Sequence, residues 1–463
     1  MKHRRLCLGI TFLCMWTAPA LCQQALEQDR YGGLKRVQWE ATGFFRAHHD
    51  GRRWWLVTPE GHPFLSLGVN GVRHSGHMAR GLGYRPYERT VERIYGGVDR
   101  WKEAARERLL SWGFNSIGGW SRTDMDMPWT KVVGFTPGHW LKGTLPDFYT
   151  EEFAARAKQV AAEHACPDDK MLIGYFLDNE MQWQTDWRLG PPLFDLYMAL
   201  PADAPGKKAL VTLLQARYKS VEALASVWQP AVKSWADLLG VKQLSVRPGQ
   251  EVRAKADHEA FVLEVARQYF RVTTTALRQA DPNHLILGVR FVCWTTPEAA
   301  VRACGEFCDV VSLNFYEIGP LGHLPYLMRH TFAAQMISSE NAFKRFYELA
   351  GRPLLIGEFS YRADDSDPPN TYPPSLIAQP TVPTQADRGR KYEDVIRHWA
   401  ETGYIVGYHW FCYVDEPKEG RTLDGENGNY GLVDIRDKPY DVFLEFVKRA
   451  NRQFVAHRCE PGK

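Results

Sequence analysis

Eight short apolar runs recur along the chain and alternate with stretches whose apolar residues have helical spacing. The runs are residues 64–70, 114–120, 131–135, 172–177, 285–291, 309–315, 353–358 and 404–411. Strands that are apolar along most of their length are typical of parallel sheets buried on both faces. Eight strand–helix units predict an α/β fold, a (β/α)8 TIM barrel. A doubly wound open sheet is the alternative, but no glycine-rich phosphate loop follows the first strand.

A short N-terminal unit is expected before the barrel. Residues 54–57 (WWLV) are apolar, and a turn with Gly61 and Pro63 leads from them into the first barrel strand. Glycine and proline between two apolar runs predict a β-hairpin. We therefore assign residues 23–62 to an N-terminal segment with a hairpin and residues 63–457 to the barrel.

Two long connections interrupt the alternation of strands and helices. Residues 181–284, between the fourth and fifth strands, have helical periodicity at 214–228 and 258–277, which predicts a helical insertion. Residues 361–384, after the seventh strand, are rich in proline and aspartate, and unstructured loops of this length are usually functional lids. Both connections follow the carboxyl ends of strands, where barrel active sites lie.

The first 22 residues have the pattern of a secretory signal peptide. Lys2, Arg4 and Arg5 precede a short apolar run and an A-x-A motif. This pattern predicts a secreted or periplasmic protein with no membrane attachment after the signal is removed. Lipoprotein anchoring through Cys22 is an alternative.

The predicted leader also accounts for the formal net charge of +3. Its three basic residues are the only charged residues before residue 23, so the rest of the chain has equal numbers of basic and acidic residues. A balanced charge favours a neutral partner and gives no reason to expect nucleic acid. The 16 Trp, 20 Tyr and 23 Phe are more informative, because such rings often line pockets as well as cores.

Cysteine and histidine spacing predicts no metal or cofactor. Cys304 and Cys308 are close enough to pair in an oxidising compartment, and buried free thiols are the alternative. The cysteine spacing matches no zinc pattern, and His74 and His77 have no third ligand near them in sequence. Glu416 is expected on a charged loop.

Polar and aromatic side chains lie where the predicted strands end, which are the positions that face the active site of a barrel. Glu180 follows the fourth strand and Glu358 ends the seventh. Packing gives no reason for a glutamate directly after an apolar strand. The remaining candidates are amides and aromatic residues that would contact substrate: Asn70, Trp120, Asn179, Trp183, Asn314, Tyr316 and Trp410.

Two carboxylates that face one pocket are what cleavage of a glycosidic bond requires. One protonates the leaving oxygen, and the other attacks the anomeric carbon or activates water. Asparagine and tryptophan nearby would bind sugar hydroxyls and stack on sugar faces. A structural role as ion-paired residues is the alternative for Glu180 and Glu358. Arg290 either reaches this site or pairs with a carboxylate.

Two motifs resemble those of a known group of enzymes. Residues 174–183 (GYFLDNEMQW) resemble the acid/base motif of clan A glycoside hydrolases, and residues 355–360 (LIGEFS) resemble the nucleophile strand of that clan. Within the clan, the chain resembles glycoside hydrolase family 50, the β-agarases. The likeness includes residues 384–388 (TQADR) and 424–427 (DGEN), and it spans roughly residues 50–445.

The resemblance implies a retaining mechanism. Glu180 would be the general acid/base and Glu358 the nucleophile, with carboxyl groups about 5–5.5 Å apart. Asn179 would bind the sugar 2-hydroxyl, Tyr316 would orient the nucleophile, and Trp410 would form a platform under the sugar. Three further tryptophans are candidate walls of sugar subsites: Trp120, Trp183 and Trp187.

The resemblance also implies a neutral oligo- or polysaccharide substrate with β-galactosidic, agarose-type linkages. Larger family members carry an N-terminal β-sandwich, for which the segment before the predicted hairpin is too short. A small oligosaccharide cleaved by a β-galactosidase or another exo-glycosidase of the clan is therefore an alternative. The segment with Tyr218, Leu224 and Trp228 resembles family 42 β-galactosidases. A non-catalytic carbohydrate-binding barrel is the alternative from another class.

Overall fold

The computed structural model describes residues 27–136, 138, 145–186, 188–229, 231–317, 339–367, 369 and 381–460. The predicted signal peptide, Cys22, Trp187 and residues 370–380 of the predicted lid lie outside the described residues. No helix in the described part of the chain is long and apolar enough to cross a membrane.

Sixteen strands are present among the described residues. They are β1 (Arg46–His49), β2 (Trp54–Val57), β3 (Pro63–Phe64), β4 (Ser66–Val69), β5 (Ser116–Ile117), β6 (Trp129–Val132), β7 (Leu172–Phe176), β8 (Trp228–Gln229), β9 (Ser245–Val246), β10 (Leu285–Ile286), β11 (Phe291–Val292), β12 (Val311–Asn314), β13 (Leu354–Phe359), β14 (Arg362–Ala363), β15 (Thr381–Val382) and β16 (Ile405–Trp410).

Twelve helices accompany these strands in the described ranges. They are α1 (Pro86–Tyr95), α2 (Val98–Ser111), α3 (Glu151–His164), α4 (Leu193–Met198), α5 (Pro205–Tyr218), α6 (Val221–Ala225), α7 (Trp235–Gly240), α8 (Glu251–Ala280), α9 (Glu298–Phe307), α10 (Ser339–Ala350), α11 (Gln385–Glu401) and α12 (Asp441–Cys459). Helices α3 and α11 have the same kind of N-terminus. Each begins after a threonine, Thr150 or Thr384, whose hydroxyl accepts a hydrogen bond from a backbone amide of the first turn.

One parallel sheet of nine strands forms the centre of the molecule, in the order β10-β7-β6-β5-β4-β16-β13-β12-β11. The fifth predicted strand is present as two short pieces, because the backbone of Arg290 is left-handed with φ 53°. The first piece, β10, pairs with β7, and the second piece, β11, pairs with β12. Residues 285–292 therefore connect the two ends of the sheet, which is curled as in a TIM barrel.

The N-terminal segment forms an antiparallel sheet of three strands. Strand β2 pairs with β1 on one side and with the two-residue strand β3 on the other. Strand β1 contains His48 and His49, for which the hydrophobic pattern predicts no strand. A short antiparallel sheet thus lies directly before the first strand of the central sheet.

The prediction of one helix over residues 214–228 is wrong. Helix α5 ends at Tyr218, and Lys219 has a left-handed backbone with φ 66°. The hydroxyl of Ser220 then accepts a hydrogen bond from the backbone of Ala223 and begins the separate helix α6. The apolar spacing is helical on both sides of this break, so the pattern alone does not reveal it.

Many of the aromatic side chains pack in the core. Five tryptophans are fully buried: Trp101, Trp183, Trp228, Trp399 and Trp410. The aromatic content is therefore shared between the core and any sugar site. Cys304 and Cys308 are both buried free thiols, which agrees with the second of the two alternatives for this pair.

Candidate active site

Glu358 lies near the end of β13, and both of its carboxylate oxygens accept hydrogen bonds. Arg290 donates from Nη2 to Oε1 at 2.7 Å, and the hydroxyl of Tyr316 donates to Oε2. Glu358 is 5% exposed and Arg290 is fully buried. A buried carboxylate with a paired guanidinium and a phenolic donor is held in one orientation.

Glu180 lies four residues after β7, and an amide from a neighbouring strand reaches it. Asn314, the last residue of β12, donates from Nδ2 to Oε1 of Glu180 at 2.9 Å. The same Nδ2 is 3.3 Å from Oδ1 of Asn179. The guanidinium of Arg188 donates to the carbonyl oxygen of Glu180 at 2.8 Å and is paired with Asp186. These contacts fix the turn that presents Glu180.

Arg290 connects the two halves of the site. Its Nε donates to Oδ1 of Asn179 at 2.8 Å, while Nη2 contacts Glu358. The same Nη2 is 3.5 Å from Oδ1 of Asn70, at the end of β4. The Cζ atom lies 4.5 Å from the ring centroid of Trp120. One buried guanidinium therefore joins side chains from the ends of four different strands of the sheet, β4, β5, β7 and β13.

Two glycines make room for this guanidinium. A Cβ atom on Gly119 would lie 3.4 Å from Nη1 of Arg290, and one on Gly357 would lie 3.3 Å from it. Gly357 also accepts a hydrogen bond from Nδ2 of Asn70 through its carbonyl oxygen, at 2.9 Å. Larger side chains at either glycine would press against Arg290 and displace it from Glu358.

Three residues of the site have a left-handed backbone although they are not glycine. They are Trp120 with φ 57°, Glu180 with φ 49° and Arg290 with φ 53°. This conformation costs roughly 1 kcal/mol or more for a residue with a side chain. Such strain commonly accumulates at functional sites, where it directs a side chain that a relaxed strand end would turn away.

Titratable groups around the site are shifted by burial. The pKa of Tyr316 is well above its usual value because of burial and of the charges of Glu358 and Glu180. Burial and then Arg290 lower the pKa of His409 to about 3. Burial raises the pKa of Asp178 to about 6, although the Tyr269 hydroxyl donates to it at 2.6 Å.

No family model matches this chain. It is 26% identical to β-agarase B of Vibrio sp. (strain JT0107), over 91% of this chain and 49% of that protein. It is 27% identical to β-agarase A of the same strain, over 88% of this chain and 45% of that protein. A solved structure of an exo-β-agarase is 27% identical, with a TM-score of 0.77 over 93% of this chain and 67% of the other. The chain is therefore similar to β-agarases in both sequence and fold.

Two further structures agree with this relationship. The agarase AgWH50C is 27% identical to the β-agarase-like chain, with a TM-score of 0.76 over 93% of this chain and 68% of that structure. The structure of PfGH50B shares the fold, with a TM-score of 0.77 at 24% identity. The β-agarase-like chain spans about half the length of the curated relatives it matches.

Most of the predicted site residues of the β-agarase-like chain lie together. Hydrogen bonds join six of them into one group through Arg290: Asn70, Asn179, Glu180, Asn314, Tyr316 and Glu358. Trp120 stands beside this group and is 39% exposed. Sequence reasoning left the place of Arg290 open, and the structure gives it both roles, since it reaches the site and pairs with a carboxylate.

Two predicted substrate contacts of the β-agarase-like chain are buried among other rings. Trp183 is 1% exposed and lies 5.7 Å from Tyr269 and 5.9 Å from Phe270, measured between ring centroids. Trp410 is fully buried, and its ring lies 5.1 Å from that of Phe359. A sugar contact for either tryptophan stays a prediction.

Sequence reasoning missed two features near the site. Glu416 was expected on a charged loop but is buried, with Oε1 at 3.1 Å from Nη1 of Arg421. Asp178, in the middle of the acid/base motif, accepts hydrogen bonds from the hydroxyl of Tyr269 and from the backbone of Thr136. The only sequence signal for Asp178 is its place between an apolar strand and Asn179.

One group of metal-ligand type occurs among the residues that the structure describes. Ligand atoms of Asp29, Glu60 and His62 lie within 4.8 Å of one another, in the N-terminal segment. The carboxylate of Asp29 accepts hydrogen bonds from the backbone of Gly33, from the hydroxyl of Thr58 and from His62 if Nδ1 carries the proton. These contacts account for the group as a structural junction of that segment.

Proposed function

We propose that this chain is a secreted retaining glycoside hydrolase that cleaves β-galactosidic, agarose-type linkages by double displacement. The agarase relatives support the substrate class, and the predicted signal peptide supports export. We further propose a closed (β/α)8 barrel in which residues 181–284 are a helical insertion. The single observation that carries the enzymatic proposal is that two buried glutamates, Glu180 and Glu358, belong to one hydrogen-bonded group around Arg290.

Glu358 has the environment of a nucleophile. A guanidinium and a phenol both donate to its oxygens, so the carboxylate is held in one orientation. The amide of Asn314, which carries no charge, donates a hydrogen bond to Oε1 of Glu180. A neutral donor allows a carboxyl group to alternate between its protonated and ionised forms, as a general acid/base must.

The proposed reaction has two steps. Glu180 protonates the glycosidic oxygen while a carboxylate oxygen of Glu358 attacks the anomeric carbon, so the leaving sugar departs with a new O–H group and a glycosyl ester forms on Glu358. Glu180, now ionised, takes a proton from water, which attacks the anomeric carbon and releases Glu358. Asn179, which is half-buried, would bind a hydroxyl of the sugar in this subsite, and Trp120 would form a wall beside it.

The test is hydrolysis of agaro-oligosaccharides and chromogenic β-galactosides by the purified chain and three variants. Glu358→Gln should abolish turnover of every substrate, because the nucleophile is lost. Glu180→Gln should abolish turnover of oligosaccharides but retain partial activity on substrates with acidic leaving groups, which depart without protonation. Glu306→Gln is the matched control, since Glu306 pairs with Arg267 on the surface.

The outcome distinguishes the alternatives. Cleavage of agaro-oligosaccharides supports the agarose-type substrate, whereas cleavage confined to small galactosides supports the β-galactosidase alternative. Oligosaccharide binding without turnover by any form of the protein supports a carbohydrate-binding barrel. Wild-type rates in Glu358→Gln would overturn the assignment of the nucleophile.

A further inference from the structure

We propose that Phe411, together with Trp120, forms the aromatic corner that binds the apolar face of the sugar ring beside Glu358. This inference rests on the proposed function and refines it. The family resemblance gives the platform on the eighth barrel strand to Trp410, whereas the direction of the side chains on β16 assigns it to the next residue.

Trp410 faces the helices that surround the sheet. Its ring lies 5.1 Å from the ring of Phe359 on β13 and 5.2 Å from that of Phe443 on α12. Its indole nitrogen donates to the carbonyl oxygen of Tyr430 at 2.9 Å. This side chain is thus fully buried, and its one hydrogen-bond donor is satisfied.

The residues on either side of Trp410 face the barrel interior. Side chains alternate along a strand, and Nε2 of His409 lies 2.9 Å from the hydroxyl of Ser66 on the inner face of β4. Phe411, directly after β16, returns to this inner face. Phe359 is the register partner of Trp410 on β13, so the preceding Glu358 also shares the inner face with Phe411.

Phe411 and Trp120 meet at the open end of the site. Their ring centroids are 6.3 Å apart and their planes are nearly perpendicular, at 86°. Trp120 is 39% exposed, and Phe411 is half-buried. Arg290 lies 4.5 Å from the ring centroid of Trp120 and 2.7 Å from Glu358, which puts the corner next to the nucleophile.

Tyr430 packs against Phe411 and acts as a positioning residue for the aromatic corner. Its ring lies 5.6 Å from that of Phe411, and its hydroxyl donates to Oε1 of Glu426 at 2.9 Å. The other oxygen of Glu426 pairs with Arg421 at 2.6 Å, and Arg421 also pairs with the buried Glu416. The wall behind Phe411 is thus fixed by buried ion pairs.

The chemistry of the corner suits a neutral pyranose. A sugar ring has faces rich in C–H groups, which pack on aromatic rings, and hydroxyls at its edge that need polar partners. Two perpendicular rings give one surface for a face of the sugar and a second surface against its side. The half-buried amide of Asn179 lies beside Arg290, where a ring hydroxyl would reach it.

The test compares kcat/KM on one cleaved oligosaccharide for wild type, Phe411→Ala, Phe411→Tyr and Trp410→Phe. Phe411→Ala should lower kcat/KM by about tenfold or more, since loss of one ring removes contacts made to the sugar. Phe411→Tyr should restore most of this loss because it keeps the ring. Phe307→Ala is the matched control: Phe307 is equally half-buried, but it ends α9 at the opposite end of the barrel strands.

Unfolding temperatures of all variants separate misfolding from lost binding. The proposal is overturned if Phe411→Ala keeps kcat/KM within about twofold of wild type, or if Trp410→Phe lowers kcat/KM more than Phe411→Ala does at equal stability. Failure of this kind leaves the proposed function intact, provided Glu358→Gln is inactive. If wild type hydrolyses nothing, calorimetric binding of the same oligosaccharide replaces kinetics, and equal affinities of wild type and Phe411→Ala overturn the proposal.

Discussion

Arg290 donates a hydrogen bond to Glu358 at 2.7 Å, and both side chains are buried. The two residues come from different strands of the central sheet and are 68 residues apart in sequence. Taking two charges out of water is costly unless they are well paired, and removing one partner leaves an uncompensated buried charge. Replacing either residue of this pair should therefore disturb the proposed site strongly.

Arg290→Ala should lower kcat by about 100-fold or more with a smaller change in KM, because Arg290 holds the nucleophile and does not itself touch the sugar in this account. Arg290→Lys should rescue only part of the loss. An ammonium group cannot donate to Glu358 and Asn179 together as the guanidinium fork does. Steady-state kinetics of both variants, with and without added guanidinium ion, make the measurement. A structural role alone predicts no rescue by guanidinium.

Asn314→Ala should slow substrates with poor leaving groups more than substrates with activated ones. Asn314 donates to Glu180 at 2.9 Å and so positions the general acid, and an activated leaving group needs little protonation. The measurement is the ratio of kcat/KM for an agaro-oligosaccharide to that for a nitrophenyl galactoside. Asn283→Ala, at an exposed side chain that contacts Pro167, is the control. An unchanged ratio in Asn314→Ala would contradict the role given to Asn314.

Tyr316→Phe should lower kcat by about 10- to 100-fold, by the same factor from about pH 5 to about pH 9. The pKa of Tyr316 is raised well above its usual value, so the hydroxyl stays protonated and donates to Glu358 over this whole range. The measurement is the ratio of wild-type to variant kcat across pH. A ratio that falls towards one at high pH would show that the hydroxyl ionises there, contrary to this account.

His409→Gln should make the stability less sensitive to acid. The folded-state pKa of His409 is about 3, below the usual value of 6.5, so the unfolded state binds the proton more tightly. The contribution of the neutral imidazole is present above pH 6.5 and is lost as the pH falls from there towards about 3. Urea unfolding of wild type and variant at pH 7 and at pH 5 measures the effect. If the free energy of unfolding changes by the same amount between pH 7 and pH 5 in the two proteins, this prediction is contradicted.

Asp178→Asn should change the pH dependence of stability in the opposite direction. The folded-state pKa of Asp178 is about 6, above the usual value of 3.8, so the contribution of its protonated form is present below pH 3.8 and is lost as the pH rises through about 6. Replacement with asparagine should remove this loss at neutral pH. The same urea experiment should therefore give changes of opposite sign for Asp178→Asn and His409→Gln.

Barrel topology explains why the sequence alone predicts that Glu180 and Glu358 lie in one site. The carboxyl ends of parallel strands meet at one end of a barrel, so polar residues that follow apolar strands are expected at one site. The positions of Asn70, Asn314 and Tyr316 follow from the same reasoning. The place of Arg290 does not, because it depends on a left-handed backbone and on the space beside Gly119 and Gly357.

The sequence pattern also does not predict in which direction a side chain at the end of a strand points. Trp410 and Phe411 are adjacent aromatic residues, and only the register of β16 against β4 and β13 decides which of them faces the barrel interior. A shift of one residue exchanges the two faces. The burial of Glu416 could not be predicted from the sequence either, because its ion-pair partner Arg421 reaches it through the turn of a loop.

Covalent trapping tests the central claim most directly. An activated 2-deoxy-2-fluoro-β-galactoside slows the second step of a retaining enzyme more than the first when its leaving group is good, so the glycosyl ester accumulates. Intact-mass and peptide analysis should find one fluorosugar per chain, attached to Glu358, and none on Glu358→Gln. Turnover without any trapped intermediate, or a sugar attached to another residue, would contradict the assignment of Glu358 as the nucleophile.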